Sequence, residues 1–231
     1  MTARKACASI ARVTQRCHDV HRRSWCSTRT DAHHLRRHIH SGAWDLTALV
    51  RLDLEPTRGP LRGFTLEALL SHDGVEFARC TGHASVVSDA AYRRLRGPRL
   101  AARPTAASPA AGLRPTADQV GVRDACDVLL ARTPEGRLRL HVEDDGHPVW
   151  FDHPSDHVPG MVLLEAARQC SRLLGSTTAR PDAVPGLTLR TTRFCEWDGP
   201  VLLRHEPRPH GARVTFEQDG DAVAEVDLDL P

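Results

Sequence analysis

The chain has 231 residues, enough for one large or two small domains with a real hydrophobic core. No run of about 18 apolar residues occurs, which excludes a membrane-spanning helix. Residues 1–40 hold only six residues from the Met, Ile, Leu, Val and Phe set, too few for a secretory leader. The seven cysteines are odd in number and show no Cys-x-x-Cys spacing, which argues against a disulfide framework or zinc ribbon and for a reduced, cytoplasmic compartment. Lys5 is the single Lys among 31 basic residues, Asn is absent, and Ile occurs only at positions 10 and 39. That is the codon supply of a GC-rich bacterial gene, and it accounts for the low aromatic content.

Charge is unevenly distributed. Eight Arg and one Lys against Asp19 and Asp31 give residues 1–40 a net +7, and the remainder carries −5. The mildly acidic body shows no stripe for a polyanion, so nucleic acid is not an expected partner. Residues 1–40 show neither helical nor strand periodicity. A basic arm for nucleic acid would need base-reading or stacking residues, which do not accompany the charge. The donors Cys17, His18, His21, Cys26, His33 and His34 are spaced too irregularly for a metal ribbon. An organelle transit peptide does not suit a bacterial gene. The reading adopted is a poorly ordered basic tail, or a shifted reading frame, that binds no metal.

From residue 41 the texture changes. Trp44, Leu46, Ala48, Val50, Leu52 and Leu54 alternate with mostly polar neighbours, the period of a strand with one buried face. Phe64, Leu66, Ala68 and Leu70 alternate again, and His72-Asp73-Gly74 predicts a hairpin turn into a strand over 75–87. Four prolines among alanines make 98–118 a linker. The stretch from 119 to 231 predicts short strands at 126–132 and 138–142, and a helix over 160–175. Four more strands follow, at 187–195, 201–205, 212–217 and 222–230. Gly63-Phe64-Thr65-Leu66 leading to Asp73-Gly74 echoes Gly211-Ala212-Arg213-Val214 leading to Asp219-Gly220, the mark of an internal repeat.

The chemistry is concentrated between Phe151 and Gln169. A polar turn holds Asp152, His153, Asp156 and His157, Pro159-Gly160 opens the helix, and Glu165 and Arg168 follow one turn inside. On the helical wheel Glu165, Arg168 and Arg172 lie opposite the apolar stripe, so periodicity alone reads them as a solvated face with an i,i+3 pair. The His-rich turn has an equally plain reading, an exposed lead-in to the helix.

The same run resembles something specific. Pro-Gly followed five residues later by Glu, with His-Pro upstream, is similar to the hotdog dehydratases of fatty-acid synthesis. The whole phrase FDHPSDHVPGMVLLEAARQ resembles more closely the second repeat of the A-factor biosynthesis (AfsA-like) hotdog family, which makes γ-butyrolactone signals in actinomycetes. Trp44-Asp45-Leu46 and the run from Ser88 to Gly97 resemble the same family's first repeat after its helix. Members usually carry two full repeats, each with Glu-x-x-Arg on its helix; here residues 1–40 contain no Glu, so that first motif is missing.

The resemblance implies an α+β hotdog, an antiparallel sheet wrapped around a central helix. It implies a partial first repeat over 41–97 and a complete second one over 119–231, paired within the chain or as a homodimer. The implied activity is transfer of a β-ketoacyl group from an acyl-carrier or CoA thioester to a dihydroxyacetone phosphate-type hydroxyl, with no cofactor and no metal. Such a transfer needs a base and an oxyanion or phosphate contact. Glu165 is the candidate base and Arg168 the candidate anion contact, with Asp152, His153 and His157 for positioning or proton transfer. A hotdog dehydratase or thioesterase acting on acyl thioesters, and an inactive member of the family, are the alternatives.

Overall fold

The computed structural model describes residues 4–7, 26–33, 47–54, 63–101, 113–143, 147, 150–151, 155–175 and 186–229. Strands β1 (Arg4–Cys7), β2 (Cys26–His33), β3 (Thr47–Leu54), β4 (Gly63–His72) and β5 (Val75–Ser88) precede helix α1 (Asp89–Arg96). Helix α2 (Ala117–Val120) and strands β6 (Leu130–Arg132) and β7 (Leu138–Leu140) lead to the central helix α3 (Gly160–Leu173). Strands β8 (Gly186–Thr191), β9 (Leu202–Arg208), β10 (Gly211–Gln218) and β11 (Asp221–Asp229) complete the chain.

All pairings are antiparallel, in one sheet of order β3-β4-β5-β2-β8-β11-β10-β9-β7-β6, with β1 joined to β5. Strand β2 stitches the halves together, pairing with β5 on one side and through Thr30, Asp31 and Ala32 with β8 on the other. Side-chain periodicity predicts no strand before residue 43. Both early strands complete the hydrogen bonds of neighbouring strands, and that demand falls on the backbone whatever the side-chain pattern.

Helix α3 begins at Pro159-Gly160, where proline supplies the extended φ of −64° that precedes a helix. It ends against Gly175, which takes the left-handed φ of 74° while its N–H bonds the Arg172 carbonyl. Its apolar face inserts Val162, Leu163, Ala166, Ala167 and Cys170 against Leu189, Val214, Phe216, Val226 and Leu228 of the surrounding strands. Burial pushes the Cys170 thiol up to about 12, so it packs as a small apolar group. This is the helix-in-sheet arrangement of a hotdog.

Both Asp-Gly turns adopt the primed geometry of tight hairpins, with φ of 50° and 75° at Asp73-Gly74 and 55° and 85° at Asp219-Gly220. Gly211 starts β10 where an added Cβ would lie 1.8 Å from the Leu228 carbonyl oxygen, so only glycine lets β10 and β11 close there.

The two halves differ in core. Phe64, Ala84 and Val86 form a separate small cluster on β4 and β5. All eight residues of β3 are exposed, Leu49 at 67% and Leu54 at 61% among them, so the one-sided burial that its alternation predicts is not met. Alternation reports a face able to be buried, not a layer that buries it. Helix α2 starts at residue 117, inside the stretch that its prolines mark as linker. Thr116 and Gln119 close a capping box there, a local signal stronger than the Pro/Ala composition around it.

Leu163 is 2% exposed at the centre of the helix–sheet contact. Leu163→Ala is expected to cost about 2–5 kcal/mol in urea denaturation, the range for a truncation that leaves a cavity. A change below about 1 kcal/mol would place α3 outside the core.

Candidate functional site

The polar run before and inside α3 divides into two clusters, each built by a different set of neighbours. The first gathers on the turn 155–158. The Ser155 hydroxyl donates to the His157 carbonyl at 2.7 Å, the Val158 N–H donates to the Cys195 carbonyl at 2.8 Å, and the Trp197 indole N–H donates to the Ser155 carbonyl at 3.3 Å. The turn is thereby sewn to the segment 194–197. Gln218 holds that segment in turn, accepting from the Glu196 N–H at 2.8 Å and donating to the Glu196 carbonyl at 2.9 Å.

Into this corner α1 sends Tyr92 and Arg96, whose side chains share one face of a helix that Ser88 caps by accepting from the Ala91 N–H. The Arg96 side chain has no solvent exposure. Its guanidinium donates to Asp156 Oδ1 at 2.8 Å, to Glu196 Oε1 at 3.0 Å and Oε2 at 2.5 Å, and to the Tyr92 hydroxyl at 2.6 Å. It also lies 4.6 Å from the centre of the Phe194 ring. The Tyr92 hydroxyl donates in turn to the Asp156 carboxylate, 2.7 and 2.8 Å from the two oxygens.

His157 Nδ1 stands 2.8 Å from Asp156 Oδ1, and its ring meets Phe194 edge-on at 5.0 Å. The carboxylate assigns the proton to Nδ1, which leaves Nε2 as the basic nitrogen. Burial would raise the Asp156 carboxyl, but hydrogen bonds from His157, Tyr92 and Arg96 outweigh it and hold the group well below the usual carboxylate range. Burial likewise opposes the Arg96 charge, and its bonds to Glu196 and Asp156 more than offset that, holding it above the ordinary guanidinium value.

The second cluster lies one turn inside α3. Arg168 grips Glu165 with two donors, Nε to Oε2 at 2.7 Å and Nη2 to Oε1 at 2.6 Å. Gln169 adds a third donor to Glu165 Oε1 at 2.9 Å while also donating to the Asp127 carbonyl and accepting from the Leu129 N–H. Arg168 reaches on to the Val120 and Gly121 carbonyls at the end of α2. The side chains of Glu165 and Arg168 are 16% and 24% exposed, so the solvated face predicted from the helical wheel is corrected: α2 packs over it, and only Arg172 is left exposed. Burial opposes the Arg168 charge, and Glu165 more than offsets that, keeping the guanidinium above its ordinary pKa.

Among the described residues no hydrogen bond joins the two clusters. Asp152 and His153 lie outside the described residues. Sequence reasoning missed Tyr92, Arg96 and Glu196. Arg93, Arg94 and Arg96 read as an ordinary basic helix end, and the one available signal was the 92/96 spacing that puts a hydroxyl and a guanidinium on one helical face.

Arg96→Met would leave the buried Glu196 and the half-buried Asp156 without their cation, and a loss of about 3–5 kcal/mol in denaturant stability at neutral pH is expected. The loss should depend on pH. Because the folded Asp156 pKa is depressed, its contribution is complete above its unfolded value of about 4 and disappears as pH falls through the lower folded value. The variant should therefore differ most from wild type above about pH 5 and progressively less in acid. A pH-independent difference would show that the lost stability does not come from the ionised Asp156 carboxylate.

A sequence profile of the A-factor biosynthesis hotdog domain (AfsA) matches residues 106–230. A Streptomyces coelicolor protein named 2-oxo-3-(phosphooxy)propyl 3-oxoalkanoate synthase is 38% identical over 159 residues, covering 65% of this chain and 49% of that protein. A Streptomyces virginiae protein of the same name is 35% identical over 212 residues, covering 84% of this chain and 68% of that one. The chain thus spans about half the length of the first relative and two thirds of the second. The structure of a candidate thioesterase II from Thermobifida fusca superposes with a TM-score of 0.52 at 17% identity, over 87% of this chain and 78% of that one. At that identity the likeness shows the fold alone. The profile match and the coverage of the Streptomyces virginiae synthase place the chain in the A-factor biosynthesis hotdog family.

Proposed function

We propose that the chain serves γ-butyrolactone signal biosynthesis as an acyltransferase that moves a β-ketoacyl group from an acyl-carrier or CoA thioester to the free hydroxyl of a dihydroxyacetone phosphate-type acceptor. The relatives' name describes the ester that this transfer would form. The observation that carries the reading is the Glu165–Arg168 pair, a carboxylate and a planar guanidinium on the central helix with partial access to solvent.

In this proposal Arg168 binds the acceptor's phosphate. A guanidinium has five N–H donors in a fork that fits two anionic oxygens, so engaging the phosphate loosens its hold on Glu165. The freed carboxylate takes the acceptor's hydroxyl proton as the oxygen attacks the thioester carbonyl. The tetrahedral oxyanion collapses, the C–S bond breaks, and Glu165 returns the proton to the departing thiol. His157, oriented by Asp156, is proposed to position the thioester end or relay a proton, together with Asp152 and His153 of the same turn. The 41–97 stretch is proposed as a partial first repeat that pairs with the second.

The test is product analysis with a β-ketoacyl-carrier thioester, with and without dihydroxyacetone phosphate. Ester formation only with the acceptor supports acyl transfer. Release of free acid makes the protein a thioesterase, water loss from a β-hydroxyacyl thioester makes it a dehydratase, and absence of turnover makes it an inactive member. Glu165→Gln is expected to lower kcat about 100-fold or more, within the range for a lost general base. Arg168→Lys, which keeps charge and loses the fork, should chiefly raise KM for the phosphorylated acceptor. Unchanged circular dichroism in both would separate chemistry from folding, and near-wild-type turnover in both would move the chemistry elsewhere.

A further inference from the structure

Behind the Glu165 cluster lies a second group of titratable side chains that the proposed transfer does not use. Cys126 and Asp127 sit on a single 3-10 turn, Ala125–Asp127, and His147 lies beside them. One ligand atom from each of the three lies within 4.8 Å of the other two, and His147 Nε2 is 2.9 Å from Asp127 Oδ1. The three environments differ. His147 is 8% exposed, Asp127 is half-buried, and Cys126 faces solvent.

We propose that Cys126, Asp127 and His147 form a binding site for a borderline-soft divalent cation of the zinc class, with a fourth position open to water. The donor set fits that ion on chemical grounds. Zinc takes thiolate, imidazole and carboxylate at bond lengths of about 2.0–2.3 Å, which places tetrahedral ligand atoms about 3.3–3.7 Å apart. The present spacing brackets those separations, so small side-chain rotations close the site around an ion. Magnesium or calcium would not recruit the sulfur and the nitrogen, because both favour oxygen ligands.

The supporting shell is in place. The His147 ring stacks on Trp150 at 5.5 Å and an interplanar angle of 19°, and its carbonyl accepts the Phe151 N–H at 2.9 Å. The Asp127 carbonyl accepts from Gln169 at 2.8 Å, so the ligand turn is braced against α3. Such outer contacts fix ligand orientation and strengthen metal binding. A cation here would pin His147 to the turn 125–127 and, through Gln169, couple that turn to Glu165. The site stands independently of the acyl-transfer reading, because its test measures metal and not turnover.

The experiment titrates the chelator-treated full chain with cobalt(II), a spectroscopic substitute for zinc. Saturation at one equivalent is expected, with the visible bands of tetrahedral cobalt and a thiolate-to-cobalt charge-transfer band, both displaced by zinc. Cys126→Ser should remove the charge-transfer band, and Asp127→Asn should weaken cobalt binding at least tenfold while circular dichroism stays unchanged. Zinc should raise the melting temperature of the wild type and not of Cys126→Ser. No thiolate band at saturating cobalt would overturn the proposal. So would a band that persists in Cys126→Ser, which would assign the thiolate to another cysteine.

Discussion

Burying a guanidinium is among the costliest choices a fold can make, and much of this site hangs on one. Arg96 has no exposed side-chain surface, yet it is held by Asp156, Glu196 and the Tyr92 hydroxyl. Taking a charge out of water costs several kcal/mol, which only well-aligned opposite charges and further hydrogen bonds offset. Here the alignment constrains three chain segments at once: α1, the turn 155–158 and the segment 194–197. Moving α1 away would strand two carboxylates, so α1 is tied to the second half through Arg96. The tilt of His157, which Asp156 sets, therefore depends on a side chain 61 positions earlier in the sequence.

The helix α3 then separates two electrostatic environments. Towards its N-terminus two carboxylates share one guanidinium, with a histidine ring beside them. One turn further on, a single carboxylate meets a single guanidinium, with an amide bridging to the backbone of 127 and 129. The apolar stripe between sheet and helix fixes the rotation of α3, and that rotation turns Arg168 towards the carbonyls of α2, while the turn before the helix meets α1. Core packing thus places the polar residues without touching them.

Much of this was legible along the chain. The helix was predicted at 160–175 and found at Gly160–Leu173, because one amphipathic period with Pro-Gly before it and Gly175 after it states its own ends. The hairpins were legible for a similar reason, since Asp-Gly encodes the backbone angles that the turns require. The run Phe151–Gln169 made the family legible through its resemblance, and that family's hotdog profile matches 106–230. What stayed hidden depends on distant pairing. Strands β1 and β2 complete the backbone of β5 and β8 and need no side-chain rhythm. Arg96 lies in a helix with three arginines, and nothing local distinguishes the one that meets Glu196 a hundred residues later. The cover that α2 places on Arg168 rests on two backbone carbonyls, which have no residue signature at all.

The two clusters also differ in how much freedom they retain, and that difference bears on which can do chemistry. Around Arg96 the donors are saturated, the ring of Phe194 backs the charge, and displacement would break both of its ion pairs, the one with Glu196 fully buried. A group so fully satisfied holds geometry well and reacts poorly, since any new partner must compete with several old ones. The Glu165–Arg168 pair is partly exposed, and the carbonyls of Val120 and Gly121 meet Arg168 only at 3.3 Å. In the proposed transfer, the acceptor's phosphate carries more charge than a backbone carbonyl and competes for those donors. On physical grounds the rigid cluster suits orientation of the turn before α3, and the looser one suits contact with a reacting anion.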